Sequence, residues 1–181
     1  YAIDVAQAAK ILNLNSIAVT AGYINSQPRI EFYNHMDAAN IDLKGFSECF
    51  YQKICHGHLQ PVLETLQYLK NETNVWFEIT TLLIPGENDS ETELNQMCQW
   101  IAENLGLEVP LHFTAFHPDF KMLDKEKTPL HTLLLARNIA LSYGLHYVYC
   151  GNVFDSGSNS SYCPNCKQLV IERNWYQLGQ Y

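Results

Sequence analysis

The chain has 181 residues, 47% hydrophobic and 12% aromatic, with a net charge of −8. That is enough apolar material for one domain with a sizeable core. The acidic balance, without any Lys/Arg cluster, argues against nucleic acid or an anionic membrane as a main partner, and the longest apolar stretch, VWFEITTLLIP, is broken by Glu78 and too short to span a bilayer.

In chain order, IDVAQAAKILNLN places apolar residues at helical spacing, and SIAVTAGYI reads as a short buried strand closed by Gly22. EFYNHMDAA is helical or irregular and leads to the strand NIDLKGF. There Ile41 and Leu43 take one face while Asp42 and Lys44 share the other. HLQPVLETLQYLKNE is a helix with Pro61 in its first turn, where the missing N–H costs nothing. NVWFEITTLLIPG is a strand stopped by Pro85 and Gly86. NDSETELNQMCQWIAENLG follows as a helix capped by Asp89 or Ser90 and ended by Gly106. VPLHFTAFHP is the fourth strand, TPLHTLLLARNIALSYG the next helix, and LHYVYCGNV the fifth strand. DSGSNSSY reads as a polar loop, and CPNCKQLVIERNWYQLGQY as a knuckle with a short β segment.

Strands alternating with helices of this length predict right-handed β-α-β units, hence an α/β domain with a parallel, open or barrel-like sheet. The near-continuous apolar strands predict that both sheet faces are covered. Residues 1–154 form the core in this reading, and residues 155–181 a loop and the C-terminal CPNC knuckle. The site belongs at the C-terminal strand ends. Those ends carry Thr20 and Gly22, Asp42 and Lys44, Thr80, and His117.

A carboxylate, an ammonium, hydroxyls and an imidazole suit a zwitterionic ligand with a ribose: Lys44 for a carboxylate, Asp42 for an amine or hydroxyl pair. Each has a plainer reading. On local sequence alone Asp42–Lys44 reads first as a partly solvated structural ion pair, while His117 also reads as a loop histidine and Gly22 as a tight turn.

Of six cysteines, only Cys163 and Cys166 form a recognisable pair. The other thiols stand singly on apolar segments, which fits a reducing, cytoplasmic compartment. C-x-x-C in a turn is half of a tetrahedral metal site. Completing a structural zinc needs two more ligands, for which Cys150, His146 or a second chain are candidates. An unmetallated pair and a redox pair are the other readings; the apolar LVI strand that follows, in place of a helix, disfavours redox.

Taken together, IAVTAGYIN, PRIEFYNHMDAANIDLKGF, EITTLLIPGENDS, VPLHFTAFHPDFKMLD, YVYCGNV and YCPNCKQLVIERNWY resemble radical SAM enzymes, and most closely the AmmeMemoRadiSam group, relatives of the pyruvate formate-lyase activating enzymes. The resemblance spans almost the whole chain. It implies a partial TIM-type (βα) barrel in which a [4Fe–4S] cluster binds S-adenosylmethionine. One-electron reduction then yields methionine and a 5′-deoxyadenosyl radical that abstracts hydrogen from a substrate.

Carried over by position, Asp42 and Lys44 face the methionine and ribose parts of the cofactor. Thr80 lies near it, His117 beside the adenosyl group, and Thr20 and Gly22 in the cofactor-side turn. The family's C-x-x-x-C-x-x-C cluster loop has no counterpart here: Cys49 and Cys55 are separated by five residues, and Cys163 and Cys166 lie in the tail. The chain also opens on Tyr1 rather than Met. The expectation is a barrel truncated at the N-terminus and inactive alone, with the edge near Ser16–Thr20 covered by the missing segment or a second chain. A non-catalytic zinc-binding or protein-interaction module on a half barrel is the alternative. An ordinary acid–base enzyme using His117 and Asp42 has no nucleophile-elbow or phosphate-loop spacing behind it.

Overall fold

A computed structural model describes all 181 residues. Helix α1 (Ala2–Ile11) precedes five strands: β1 (Ile17–Thr20), β2 (Ala38–Asp42), β3 (Trp76–Leu83), β4 (Leu111–Ala115) and β5 (Val148–Gly151). They form one sheet in the order β1-β2-β3-β4-β5 with every neighbour parallel. The crossovers run through α2 (Ser26–Tyr33), α4 (Gln60–Glu72), α5 (Glu91–Asn104) and α6 (Leu130–Ser142). Right-handed crossovers between sequential neighbours lay these four helices on one face, the arrangement of a partial (βα) barrel.

The two sheet faces differ sharply. Ile41, Ile79, Leu111, Phe113 and Val148 are buried beneath the helices. Asn40, Asp42, Thr80, His112 and Tyr149, on the other face, are only half-buried. The expectation that both faces are covered is therefore corrected: burial alternates along each strand, and only the helix side is sealed. At the β1 edge the opposite problem appears. Ile17 and Val19 are 66% and 78% exposed, and β1 pairs on one side only.

Local boundaries shift in instructive ways. β2 ends at Asp42, so Leu43 and Lys44 lie past the ladder. Between β2 and α4 the chain makes a short helix, α3 (Glu48–Phe50), that widens into a π turn over Tyr51–Cys55 and stops at His56 in a left-handed conformation, φ 53°. Glu48 secures this segment, accepting from the Leu59 N–H at 3.0 Å and meeting His58 Nδ1 at 2.5 Å. DSGSNSSY is not all loop: Asp155 caps α7 (Ser156–Asn159), accepting from the Ser158 N–H at 2.9 Å. The tail forms two small hairpins, β6 (Ser161–Tyr162) with β7 (Leu169–Ile171), and β8 (Arg173–Asn174) with β9 (Gln177–Leu178).

Beyond the strand ends the ladder no longer pairs the backbone, and buried side chains take over. Thr81 Oγ1 donates to Leu43 O at 2.8 Å. Asn88, 2% exposed, donates through Nδ2 to Lys44 O (2.7 Å) and Leu82 O (2.9 Å) and accepts from the Ile84 N–H (2.7 Å). Thr128 Oγ1 donates to Leu83 O (2.6 Å) and accepts from the Phe116 N–H (2.8 Å). Asn88→Ala leaves one buried and two part-buried backbone groups without this partner, so we expect a loss of about 2–4 kcal/mol in chemical denaturation, far more than for the exposed Asn71→Ala.

Candidate functional site

The site is built where β1 and β2 end. Asp42 is the last residue of β2, and one residue further the chain turns so that Lys44 Nζ lies 2.8 Å from Asp42 Oδ2. The side chains are 35% and 41% exposed, so this is a partly solvated pair at a rim rather than one in a dry interior. They line a cavity of about 220 Å³ together with Ala21, Tyr23, Tyr51, Cys55 and His56.

The Lys44 main chain is held on two sides. Its carbonyl takes the Asn88 amide, and its N–H donates to the buried Tyr51 hydroxyl at 3.1 Å. Burial drives the Tyr51 phenol well above its usual range, so it stays protonated. Burial likewise raises the Cys55 thiol, with the Lys44 charge opposing. On the outer side Glu93 of α5 accepts from the Phe46 N–H at 2.6 Å and clamps the loop after Lys44.

The remaining expected residues fall in different places. Thr80 is beside Asp42 in register and donates to Asn40 Oδ1 at 2.9 Å. Thr20 shares a register row with Ile41, hence the helix side, and its hydroxyl accepts from the Gly22 N–H at 3.2 Å. Gly22 adopts φ +65°, its carbonyl accepts from Thr65 Oγ1 at 2.7 Å, and a Cβ there would meet Ile41 Cγ2 at 2.8 Å. Thr20 and Gly22 therefore shape the turn that presents Ala21 and Tyr23. His117 is exposed beyond β4, without a hydrogen bond, two strands from β2.

Sequence reasoning missed the other half of the open face. Asp42, Thr80, His112 and Tyr149 form one continuous register row. His112 Nε2 lies 2.7 Å from Glu78 Oε2 and stacks on Tyr149 at 5.1 Å. The His112 contact holds the Glu78 carboxyl below the usual carboxylate range. Tyr149 and Arg173 both meet the Ser161 hydroxyl, at 2.9 and 2.6 Å, which brings the tail onto this face. Glu78, His112, Tyr149 and Arg173 border a cavity of about 610 Å³. The alternation Glu78-x-Thr80 and His112-x-Thr114 was the available signal.

No three His, Cys, Asp or Glu side chains come together as a metal site. Cys98 is buried, which pushes its thiol up to about 12, and Cys150 is buried beneath α6 with its sulfur donating to Leu133 O at 3.6 Å. An iron–sulfur cluster therefore does not fit on this chain's own cysteines. The rim offers the two charge types a zwitterionic ligand calls for, the Asp42 carboxylate and the Lys44 ammonium, side by side and part-exposed. Neither Cys150 nor His146, which lies 2.6 Å from Glu108, joins Cys163 and Cys166; the expected in-chain zinc set is corrected on that ground.

No family model matches the chain. An uncharacterized protein of Methanocaldococcus jannaschii is 42% identical over 170 residues, covering 94% of this chain and 50% of that protein. The chain thus spans about half the length of the curated relative it matches. Among solved structures, a domain of pyruvate-formate lyase-activating enzyme from Bacteroides vulgatus superposes with a TM-score of 0.72 at 17% identity, covering 83% of this chain and 89% of that one. A radical SAM methyltransferase from Sphaerobacter thermophilus gives 0.63 at 12% identity, covering 87% of this chain and 46% of the other. TYW1 with a lysine–pyruvate adduct bound gives 0.55 at 18%, covering 77% and 44%. The fold is that of these radical SAM proteins, a partial TIM-type barrel. No helix is long and apolar enough to cross a membrane.

Burial raises the Glu93 carboxyl above its ordinary value, outweighing the hydrogen bonds it accepts. The folded state therefore holds this proton more tightly than the unfolded chain, and the contribution of Glu93 to stability declines as pH rises through its folded pKa. Glu93→Gln keeps an acceptor for the Phe46 N–H without a buried charge. We expect it to melt at or above wild type near about pH 7 and to lose that advantage by about pH 4; a lower melting temperature at neutral pH refutes this.

Proposed function

We propose that this chain is the C-terminal core of a radical SAM enzyme, with Asp42 and Lys44 facing the methionine and ribose parts of S-adenosylmethionine. The observation that carries the reading is that pair, set 2.8 Å apart and part-exposed at the C-terminal rim of a parallel sheet. A surface ion pair in that position adds little stability, yet its backbone is fixed by Asn88, Tyr51 and Glu93. Such support around a marginal pair suits preorganisation for a ligand.

In this reading the Lys44 ammonium meets the amino-acid carboxylate, and Asp42 takes the amine or the ribose hydroxyls. Thr80 extends the polar row next to Asp42. Thr20 and Gly22 set the turn that brings Tyr23 over the cavity, and His117 stands on the outer rim for the adenosyl end. Bound S-adenosylmethionine and a [4Fe–4S] cluster together supply one-electron chemistry that removes a hydrogen atom from a substrate. The cluster thiolates come from polypeptide outside these residues; the M. jannaschii relative has as much sequence again to hold them. The motif strings favour the AmmeMemoRadiSam group within the superfamily, and six free thiols suit a reducing cytoplasm. The bare β1 edge, with Ile17 and Val19 exposed, is where that other polypeptide pairs. The alternative, a zinc-binding interaction module, accounts for Cys163 and Cys166 but leaves the supported ion pair without a role.

The test uses the longer protein reconstituted with iron and sulfide. Asp42→Asn and Lys44→Met should each weaken S-adenosylmethionine binding about 10-fold or more in calorimetry, with melting temperature nearly unchanged. Unaltered affinity in both variants removes the assignment. Hydrogen exchange checks the edge: the β1 amides that face away from β2 exchange freely in this chain and become protected in the longer protein.

A further inference from the structure

The π turn after α3 brings more to the rim than backbone support. Tyr51 and Cys55 are its first and last residues and His56 its stop, and all three line the cavity beside Asp42 and Lys44. The Gly57 N–H closes the turn by donating back to Tyr51 O at 3.0 Å. Widening a helix in this way is rare, and such turns recur where side chains serve a site.

Tyr51 is 3% exposed, and its ring sits edge-on to Phe50 with centroids 6.2 Å apart. A phenol both accepts and donates. The Tyr51 oxygen accepts from the Lys44 N–H at 3.1 Å, which fixes the hydroxyl end beside the charge pair. That contact is the one hydrogen bond the hydroxyl makes in this chain. Asp42 Oδ2 is taken by Lys44 Nζ, at 2.8 Å, and leaves the phenol proton without an acceptor. A buried donor left unpaired is costly. Support of the Lys44 N–H needs only an acceptor, so it does not account for the proton that burial keeps on this oxygen.

Resting on the reading of the rim as a site for S-adenosylmethionine, we infer that Tyr51 is a binding residue whose hydroxyl donates to the carboxylate of the methionine part. A carboxylate only accepts hydrogen bonds and has two oxygens to offer. The Lys44 ammonium and the Tyr51 hydroxyl can each take one, and Asp42, which repels that end, is left for the amine or the ribose. Tyr51 thereby selects ligands that keep the carboxylate.

The test measures binding to the longer protein reconstituted with iron and sulfide, by calorimetry without reductant. Tyr51→Phe removes the donor and should weaken S-adenosylmethionine binding about 10-fold. Its effect on decarboxylated S-adenosylmethionine, read by displacement, should stay within about twofold. Replacing Tyr51 by 3-fluorotyrosine separates the two roles of the hydroxyl, and serves equally should Tyr51→Phe fold poorly. Fluorine makes the hydroxyl a better donor and a poorer acceptor. Donation to the ligand therefore predicts tighter binding than wild type, whereas support of the Lys44 N–H alone predicts weaker binding. Fluorinated protein that binds no tighter, unchanged affinity in Tyr51→Phe, or an equal loss for the decarboxylated ligand each overturns the inference. Where Asp42→Asn and Lys44→Met still weaken binding, only the role of Tyr51 falls; unaltered affinity in those variants removes the cofactor site itself.

Discussion

A parallel sheet must solve a problem at its C-terminal ends: the backbone leaves the ladder while still surrounded by protein. In this chain the solution is a set of buried hydroxyls and amides. Thr65 binds Gly22 O, Thr81 binds Leu43 O, Asn88 ties Lys44 and Leu82 to Ile84, Thr128 ties Leu83 to Phe116, and Asn152 reaches Ala115 O. Each satisfies polar groups that would otherwise be stranded at a cost of about 1–3 kcal/mol. The same bonds decide where the loops go, so the rim is rigid where its chemistry sits.

That arrangement explains how two opposite charges can follow an apolar strand. The strand keeps Ile41 under the helices and its pleat sends Asp42 the other way; past the strand end the chain turns, burying Leu43 and bringing Lys44 back beside Asp42. On that side Asn40, Thr80, Glu78 and His112 already make a polar surface, paired among themselves. The charges therefore meet water and polar neighbours, and no bare desolvation arises.

The alternation of strands and helices was legible because each strand is a compact apolar run and each helix has a clear stop. Asp89 or Ser90 was the expected cap of α5, and it is Ser90 whose Oγ accepts from the Glu93 N–H, at 3.3 Å. The carboxylate itself went elsewhere, to Phe46, a contact made across 47 positions and invisible to local pattern. The π turn at Tyr51–Cys55 was missed because its length depends on one left-handed residue, His56, that no local rule demands. Thr20 looked like a site residue by position, but register with Ile41 puts it on the helix side. His112 was passed over because an alternating strand does not say which face is open until the helices are placed.

Because all four ladders of the five-stranded sheet join strands in the same direction, none of its pairs can form through a simple hairpin; each waits for a helix to be laid between its members. Closing such long loops before any reward arrives slows the search for the native state. Until β2 is in place, β1 has no partner within these residues, and the aliphatic Ile17 and Val19 are a surface on which partly folded chains associate.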